Sequence, residues 1–446
     1  MDAAIGIDFG TTNSSVARAR MVAPERSPRV DLVTFPGAAG AAPTASFRSI
    51  LYLEQNRERG RSTTESFTGP AAIDRYLSRH LLDAEPRPGR LIQSLKSYLP
   101  VRTLTGTEVF GRRYTVEDLV SRILADLRSA AEAGFSMQIG SAVVGRPVRF
   151  VGATTPGDDA FAIERLTSAL GAAGLAEVKF LEEPVAAALA YEATLERDEL
   201  ILIGDFGGGT SDFTLIHVGP SARARPSAER ILGTAGLPLA GDAFDAKLVR
   251  RLVSPALGSD SMARSLGKTL PAVPAWIYAN LERWHYLSFL RTRNVEEILR
   301  TARLRALEPE KIEALMTLVN EDLGYQLHQA VQRTKVALSD EPAAEFRFCE
   351  PGLDLRTAVT RVEFESWIAP ELAWIEQTVD DLLGGTHTTP GQVDRVFLTG
   401  GTSFVPAVRR IFEERFGAGR VTAGEAFTSV ARGLALHALR LVGEEA

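Results

Sequence analysis

The stretch "GDFGGGTSDF" at residues 204–213 constrains the fold of this chain more than any other. Three consecutive glycines separate two apolar runs, "ELILIGDF" and "SDFTLIHV", whose composition is typical of buried β-strands. Two strands joined by a few residues form a hairpin, and a glycine turn lets its backbone approach another group closely. The N–H groups of such a turn can also bind an anion. On its own, the stretch is equally consistent with a plain hairpin turn.

The same pattern occurs a second time, near the start of the chain. Residues 3–19, "AAIGIDFGTTNSSVARA", contain an apolar run, an Asp-Phe-Gly sequence that begins at Asp8, and a second strand-like run. Asp205 begins the matching Asp-Phe-Gly in the glycine cluster. The glycine cluster at residues 204–213 is neither a Walker loop nor a dinucleotide fingerprint, because no lysine follows the glycines and the next element is a strand. The pair predicts two related halves, each opening with one hairpin.

Strand-and-helix pairs extend this repeat. In the first half they are "SAVVGRP" with a helix around residues 158–172, and "VKFLEEPVAAALAYEA". In the second half they are "RVFLTGGTSFVPAVRRIF" and "RVTAGEAFTSVARGLALHAL". Strands that alternate with helices in this way predict an α/β protein of two related lobes, with a ligand crevice between the lobes.

Composition narrows the class of protein. The 446 residues suffice for two domains, and a net charge of −6 gives no basic surface for nucleic acid or for a membrane. The one cysteine, Cys349, excludes an intramolecular disulfide and a cysteine zinc site. The N-terminus lacks the pattern of a signal peptide, and no apolar run approaches the ~18–20 residues of a membrane span. We therefore expect a cytoplasmic protein with neither nucleic acid nor membrane as a partner.

The two matched aspartates indicate a metal ion. Carboxylates repel phosphate, so Asp8 and Asp205 are compatible with an anion site only if a cation lies between them and the phosphates. Mg²⁺ keeps several waters and is held through one or two carboxylates together with substrate phosphates. The pair predicts Mg²⁺ and a nucleoside triphosphate, although each aspartate alone could simply form a turn at a strand end.

Five motifs together resemble a known family. "GIDFGTTNSSVA", "EPVAAALAYE", "GDFGGGTSDFTLI", "AGDAFDAKLV" and "LTGGTSFVP" occur in the order and rough spacing of the ATPase domain of the heat-shock 70 chaperones. "GRLIQSLKSYL" and "GRPVRF" look most like the short YegD-type branch of that family. The resemblance implies the actin-like ATPase fold, built on ribonuclease-H-like repeats, with ATP or ADP and Mg²⁺ in a cleft between the lobes.

The resemblance also implies domain boundaries. Lobe I would span residues 1–198, with an outer subdomain at about 38–118, and lobe II would span residues 199–446, with a helical outer subdomain at about 242–345 and a C-terminal helix packing back on the core. The polar residues 38–83 are expected to contribute loops over the cleft. We expect no C-terminal peptide-binding domain in this chain.

Phosphate, metal and catalytic roles follow from the resemblance, residue by residue. The implied phosphate-binding residues of the two hairpins are Gly10, Thr11, Thr12, Asn13, Gly207, Gly208, Gly209 and Thr210. Asp8 and Asp205 would hold Mg²⁺ through its water shell. The implied catalytic residues, which orient the metal shell and the attacking water, are Glu183, Asp205, Thr210 and Asp212. By itself, Glu183 could equally be a carboxylate favoured by a helix dipole.

The implied residues of the nucleoside end come from the second half. They are Gly241, Asp242, Lys335, Ser339, Gly400, Gly401 and Phe404. Phe404 stands where the family usually has an arginine against the adenine, and its ring could stack on a purine or anchor the next helix in the core. Lys335 could otherwise be a solvated cation on its helix.

One position departs from the family pattern. A lysine that points at the γ-phosphate is expected soon after a "GxPA" motif, and in "TGPAAIDRY" that position is Ile73. The loss of a cation at developing negative charge slows hydrolysis. The sequence therefore predicts ATP binding with slow hydrolysis, and Lys96 in "SLKSYL" is a candidate substitute for the missing lysine.

Three functions from different classes remain open. The first is a chaperone or nucleotide switch of the stress response with weak ATPase activity; the others are an actin-like filament or scaffold ATPase and a small-molecule kinase on the same fold. A protein client or co-chaperone could bind the helical residues 254–320, which include Trp276 and Trp284, although these aromatics could also form a helical core. Fold alone does not decide among the three.

Overall fold

The computed structural model describes residues 4–22, 27–37, 42–58, 61–82, 88–192, 194–222, 225, 227–265, 268–282, 290–423 and 426–445. The chain divides into two compact units. Unit 1 comprises Met1–Pro238, Thr378–Gly400 and Phe412–Ala446, and unit 2 comprises Leu239–Gln377 and Gly401–Ile411.

The strands and helices are numbered along the chain. The strands are β1 (Ala4–Phe9), β2 (Asn13–Val22), β3 (Ser27–Leu32), β4 (Phe47–Arg48), β5 (Ile50–Glu58), β6 (Arg61–Thr68), β7 (Gly89–Gln93), β8 (Thr107–Val109), β9 (Arg112–Tyr114), β10 (Ser141–Arg146), β11 (Glu177–Glu182), β12 (Glu199–Phe206), β13 (Ser211–Val218), β14 (Ile231–Leu237), β15 (Met262–Ser265), β16 (Lys268–Pro271), β17 (Ala343–Glu350), β18 (Leu353–Thr360), β19 (Arg395–Thr399) and β20 (Val421–Ala423). The helices are α1 (Gly69–Leu82), α2 (Val116–Phe135), α3 (Pro156–Ala172), α4 (Glu183–Glu192), α5 (Ser227–Arg230), α6 (Gly241–Leu248), α7 (Ala275–Leu281), α8 (Arg293–Arg305), α9 (Pro309–Asn320), α10 (Gly324–Asp340), α11 (Arg361–Trp367), α12 (Ala369–Gly385), α13 (Pro406–Phe416) and α14 (Ala426–Glu445).

Unit 1 contains two sheets with the same topology. The first has the order β11-β10-β1-β2-β3, and the second has the order β20-β19-β12-β13-β14. In each sheet, the two hairpin strands and the strand beside the second of them pair antiparallel. The two strands on the other side of the hairpin run parallel to its first strand. The internal repeat predicted from the two Asp-Phe-Gly sequences is therefore confirmed, as are the strand-and-helix pairs that follow each hairpin.

Local sequence explains where the helices of the first half begin. Thr115 and Thr155 cap α2 and α3, each in a reciprocal capping box with the aspartate three residues later. Pro156 occupies the first turn of α3, where a missing N–H costs nothing. The buried stripe of α2, which includes Leu119, Ile123 and Leu127, packs into the core beneath the first sheet.

A second apolar core joins the two sheets through α4 and α14. It contains residues of β1, β2 and β10, residues of β12 and β13, and small residues of the two helices, such as Ala186, Ala431 and Ala435. Two glycines allow these elements to approach closely. A Cβ on Gly433 of α14 would lie 1.7 Å from the Ala186 oxygen, and one on Gly6 would lie 2.3 Å from the Ala435 nitrogen.

The outer part of the first half is more regular than the sequence indicated. Within residues 38–83 we expected loops, but β5 and β6 form a hairpin that pairs on its other side with β7, and α1 packs against this sheet. The expectation of loops is wrong because Ile50, Leu51, Tyr52 and Leu53 form a continuous apolar run that is buried on both faces of β5.

Unit 2 contains α6 to α11, much of α12, and two short hairpins, β15–β16 and β17–β18. Helical structure was predicted for residues 254–320, and α7, α8 and α9 confirm it, with Pro309 at the start of α9. The hairpin β15–β16 in the same region was not predicted. Trp276 is 45% exposed, and Trp284 lies outside the described residues.

Within the part of the chain that the structure describes, no helix combines the length and the apolar character that crossing a membrane requires. The division into lobes at residue 199 stays a prediction.

The close contact between α14 and α4 predicts a large effect of one methyl group. Gly433→Ala places a Cβ against the Ala186 backbone, which cannot move as a flexible side chain can, so we expect a loss of about 2 kcal/mol or more in the free energy of unfolding. The measurement is chemical denaturation. Gly443→Ala is the matched control, because a Cβ there meets nothing within 4 Å on the same helix, and it should be neutral or slightly stabilising. Equal effects at both positions would contradict the packing described.

Candidate functional site

The two repeated hairpins close in the same way. Phe9 pairs with Ser14 and Phe206 pairs with Ser211, so residues 10–13 and 207–210 form turns of equal length. In the second turn the Gly207 N–H donates to the Thr210 carbonyl over 2.8 Å. In the first, a Cβ on Gly10 would lie 2.1 Å from the Asn13 oxygen, so the turn requires glycine there. All the implied phosphate-binding residues of the two turns are at least partly exposed.

Asp8 and Asp205 occupy matching positions one residue before the end of β1 and β12. Asp8 lies opposite Ser15, and Asp205 lies opposite Asp212 across the second hairpin. Thr399, at the end of β19, is in register with Asp205, and its hydroxyl donates to Asp205 Oδ1 over 2.7 Å. That bond fixes the orientation of one carboxylate oxygen while both aspartates remain partly accessible.

A lysine and a glutamate lie beside these aspartates. Lys96 Nζ donates to Glu183 Oε1 over 2.7 Å, and their side chains are only 8% and 15% exposed. Lys96 belongs to a short 3-10 helix, Leu95–Tyr98, and Glu183 is the first residue of α4. A Cβ on Gly145 of β10 would lie 3.1 Å from Glu183 Cγ, so the glycine leaves room for this side chain. Glu183 therefore does more than place a negative charge at the start of α4, because its carboxylate also forms an ion pair with Lys96.

Electrostatics join these groups into one cluster, defined here as the acidic cluster: Asp8, Lys96, Glu183, Asp205 and Asp212. Burial, with the charges of Glu183 and Asp205, raises the pKa of Asp8 to about 8, although Lys96 opposes this. Burial, Asp205 and Glu183 raise the pKa of Asp212 to about 7, and burial also raises the pKa of Asp205. For Lys96, burial lowers the pKa, but the surrounding carboxylates outweigh burial and raise it.

The cluster has the properties of a cation site. It contains four carboxylates and one lysine, so its carboxylates repel one another unless they are protonated or neutralised. Among the described residues, no three His, Cys, Asp or Glu side chains converge closely enough to hold a metal directly. The donor set therefore fits a hydrated ion held by one or two carboxylates, as Mg²⁺ prefers, and does not fit a metal enclosed by protein ligands.

The implied nucleoside residues of unit 2 lie on α6 and α10. Lys335 Nζ is 2.6 Å from Asp245 Oδ1 and donates to the Gly241 carbonyl over 3.4 Å, so Lys335 is not a solvated cation. Asp242 lies in the first turn of α6. One turn after Lys335, the Ser339 hydroxyl donates to the Lys335 carbonyl over 3.1 Å. The contacts of Lys335 with Asp245 and with the Gly241 carbonyl hold the start of α6 against α10.

The glycine pair after β19 has the expected special backbone. Gly400 has a φ of 88°, and a Cβ there would lie 1.9 Å from the Phe206 oxygen, so only glycine fits beside the end of β12. Phe404 ends the short 3-10 helix Gly401–Phe404 and is 53% exposed. The alternative that Phe404 anchors the core is therefore wrong, and its ring stays available for stacking.

The structure also shows where Ile73 and Lys96 lie. Ile73 is 4% exposed within α1 and belongs to the apolar interior of the outer sheet and helix. Lys96, in contrast, contacts Glu183 and interacts electrostatically with Asp8 and Asp205. Lys96, and not residue 73, therefore places a positive charge beside the two aspartates.

Comparison with known proteins identifies the class. The model of the Hsp70 protein family matches residues 92–261 and 311–446. The chain is 26% identical over 450 residues to the chaperone protein DnaK of Thermus thermophilus, covering 100% of this chain and 62% of that protein. It is 26% identical over 444 residues to DnaK of Thermotoga maritima (99% and 60%), and 23% identical over 418 residues to DnaK of Deinococcus radiodurans (94% and 56%).

These matches cover more than half of the chain, so the protein belongs to the Hsp70 family and has the actin-like ATPase fold of that family. Members of this family bind ATP or ADP together with Mg²⁺. The chain spans about three-fifths of the length of the curated relatives it matches, at 62% and 60% for DnaK of Thermus thermophilus and of Thermotoga maritima.

Sequence reasoning missed two residues that shape the site. Thr399 holds Asp205, and its signal is the threonine directly before the glycine pair in "LTGG". Gly145 makes room for Glu183, and its signal is a glycine at the end of an otherwise apolar strand.

The raised pKa of Asp8 predicts how stability depends on pH. The unfolded carboxyl ionises near 3.8 and the folded one near 8, so the folded state binds more protons between these values and the free energy of unfolding falls as pH rises. Asp8→Asn removes this loss, and we expect the variant to be more stable than the wild type at pH 8 by more than about 1 kcal/mol, with no gain below pH 4. Thermal melts without nucleotide across pH 3.5–8.5 measure it. Asp340→Asn, at an exposed aspartate of α10, should show no such trend; a pH-independent difference at Asp8 would contradict the assignment.

Proposed function

We propose that this Hsp70-family protein binds Mg²⁺–ATP at the two hairpin turns of unit 1 and hydrolyses it to ADP and phosphate, serving as a chaperone or nucleotide switch. The observation that supports the proposal most directly is the acidic cluster. Two matched aspartates, a glutamate and a lysine lie beside two turns that present backbone N–H groups and threonine hydroxyls.

Different residues of the chain would bind the phosphates and the metal ion. Backbone N–H groups of the two turns, with Thr11, Thr12, Asn13 and Thr210, would donate to phosphate oxygens. Asp8 and Asp205 would hold Mg²⁺ through its water shell, and the ion would neutralise charge on the phosphates. The Thr399 hydroxyl donates to one oxygen of Asp205, so the other oxygen would accept from a metal-bound water.

The same residues suit the hydrolytic step. Phosphoryl transfer depends mainly on positioning and on neutralising charge, with little covalent work for the protein. Glu183 and Asp212 would orient the attacking water, and Lys96 would stabilise charge that develops on the transferred phosphoryl group. Because Glu183 fixes the Lys96 ammonium, the cation is positioned before substrate binds.

The residues that would bind the nucleoside are proposed from the sequence match. The local geometry of unit 2 supports this proposal. Gly241, Asp242, Lys335 and Ser339 would serve the ribose and the adenine, and the exposed ring of Phe404 would stack on the base.

Family membership favours the chaperone or switch over the filament and kinase alternatives. A protein client or co-chaperone, a role in the stress response and a cytoplasmic location stay predictions.

Calorimetric titration with ATP and ADP, with and without Mg²⁺, tests the proposal. We expect Mg²⁺ to strengthen nucleotide binding to the wild type, and we expect Asp8→Asn and Asp205→Asn to lose that dependence because each removes a carboxylate that holds the ion's waters. Asp340→Asn serves as the matched control. Wild-type protein that binds ATP equally well with EDTA and with Mg²⁺, or that does not bind it at all, would refute the central claim.

A second prediction separates turnover from binding. Lys96→Met should lower single-turnover hydrolysis by about 100-fold or more while changing ATP affinity far less, because the cation acts on charge that develops in the transition state. Removal of one partner of a buried ion pair can cost about 3–5 kcal/mol of stability, so melting curves with bound ATP must show a folded variant. Lys96→Arg keeps the charge and should recover part of the rate.

Lys311→Met, at a lysine of α9 outside the acidic cluster, should keep the wild-type rate. Unchanged turnover in folded Lys96→Met would exclude Lys96 as the catalytic cation.

A further inference from the structure

The turn that carries Lys96 has little internal support. It is a single turn of 3-10 helix, Leu95–Tyr98, closed by the Leu99 N–H, which donates to the Lys96 carbonyl over 3.2 Å. Short 3-10 helices have poorer hydrogen-bond geometry than α-helices. Ser94, directly before the turn, has a φ of 56°, which is unfavourable for a residue with a side chain. The position of the turn therefore depends on contacts with the rest of unit 1.

Arg165 of α3 provides such contacts from more than 60 residues away in the chain. Its guanidinium donates to four backbone carbonyls that follow Lys96, those of Tyr98 (3.2 Å), Leu99 (3.4 Å), Val101 (3.4 Å) and Leu104 (3.1 Å). The last carbonyls of a helix lack partners within it, so a donor that binds them determines where the helix ends and how it is rotated. Arg165 thus holds the backbone directly after the Lys96 turn.

The guanidinium is itself held in place. The Arg165 side chain is only 5% exposed, Nε donates to Glu117 Oε1, and Nη2 donates to Glu117 Oε2 over 3.4 Å. The Phe161 ring lies 5.2 Å from the Arg165 Cζ. Arginine has five N–H donors in one planar fork, so it can bind a carboxylate and several carbonyls at once, which the point charge of a lysine cannot do.

A continuous path of contacts leads from Arg165 to the acidic cluster. Arg165 binds the Leu99 carbonyl, and the Leu99 N–H binds the Lys96 carbonyl. Lys96 Nζ in turn donates to Glu183 Oε1. Leu95 and Leu99 also bury their side chains in the core on either side of Lys96. Apolar packing is non-directional, however, whereas hydrogen bonds to the carbonyls also fix the rotation of the turn and hence the direction of the Lys96 side chain.

We propose that Arg165 is a positioning residue for Lys96. By holding the carbonyls after the 3-10 turn, it orients the Lys96 ammonium toward the carboxylates of the acidic cluster before substrate binds. The effect of Arg165 on rate rests on the proposed hydrolysis of ATP, whereas its effect on the Lys96 side chain can be measured without nucleotide.

Chemical labelling of lysines tests the position of Lys96 in the full chain without nucleotide. N-hydroxysuccinimidyl acetate labels the wild type, Arg165→Met and Arg165→Lys, and peptide mass spectrometry gives the labelling rate at each lysine. We expect Arg165→Met to raise the rate at Lys96 by at least about tenfold, because a turn that opens more often exposes its amine more often. Arg165→Lys, which keeps the charge without the planar fork, should give an intermediate rise.

Lys335 is the internal control for labelling. Its side chain is also mostly buried, at 13% exposure, and it pairs with Asp245 over 2.6 Å, so its labelling rate should stay at the wild-type value. An unchanged rate at Lys96 in folded Arg165→Met, or an equal rise at Lys335, would overturn the proposal. If melting curves show that Arg165→Met does not fold, the same criteria apply to Arg165→Lys.

Single-turnover hydrolysis tests the effect on rate. Arg165→Met should lower the rate constant by about tenfold or more while changing ATP affinity far less, because a small displacement of a catalytic group is costly. In the Lys96→Met background, the same substitution should lower the rate constant by no more than about twofold, because the cation that Arg165 positions is already gone. Equal fold losses with and without Lys96 would show that Arg165 acts on the fold as a whole and would overturn the proposal.

Arg128→Met is the matched control for the rate. Arg128 of α2 also donates to a backbone carbonyl, that of Gly174 just after α3, over 2.9 Å, so its removal costs a similar bond away from the Lys96 turn. It should keep the wild-type rate within about twofold, since distant sites act independently. A wild type that does not hydrolyse ATP would refute the proposed function, and the labelling result alone would then uphold or overturn the role of Arg165 in placing Lys96.

Discussion

Repulsion among four carboxylates around Lys96 is the constraint on which the candidate site depends. In isolation these groups would move apart, and burial together with their mutual repulsion raises the pKa of Asp8 and of Asp212. Only a rigid frame keeps them together. A site of this kind is unstable when empty at neutral pH and is relieved by a cation, so ligand binding and stability are linked through the same charges.

The frame is the apolar core in which α4 and α14 join the two sheets of unit 1. Because each sheet carries one hairpin, this core sets where the two turns lie, and because α4 begins at Glu183, the same packing places the glutamate. Gly6 and Gly433 allow these backbones to pack in close contact. Substitutions far from any phosphate can therefore move the carboxylates relative to one another, which matters for a reaction governed by positioning.

Local sequence patterns predicted the two hairpins, but they could not predict contacts between residues that lie far apart in the chain. The Asp-Phe-Gly repeat predicted both hairpins, because residues that are neighbours in sequence fix a strand and its turn. The sequence also named Lys96 as a candidate for the lysine that Ile73 replaces, but a local pattern could not show whether its side chain faces the core or the site. Lys96 and Glu183 are 87 residues apart in the chain, and no local signal records their contact. Thr399 is likewise 194 residues from Asp205.

Parts of this chain differ in how well they match the Hsp70 family and in how tightly their packing constrains them. The elements around the acidic cluster are largely shared with Hsp70 relatives and are constrained by backbone contacts that admit only glycine, as at Gly400 beside Phe206. The region from β15 to α8 is unmatched, and side chains such as Leu270, at 51% exposure, and Leu304, at 81%, are far less constrained by packing there.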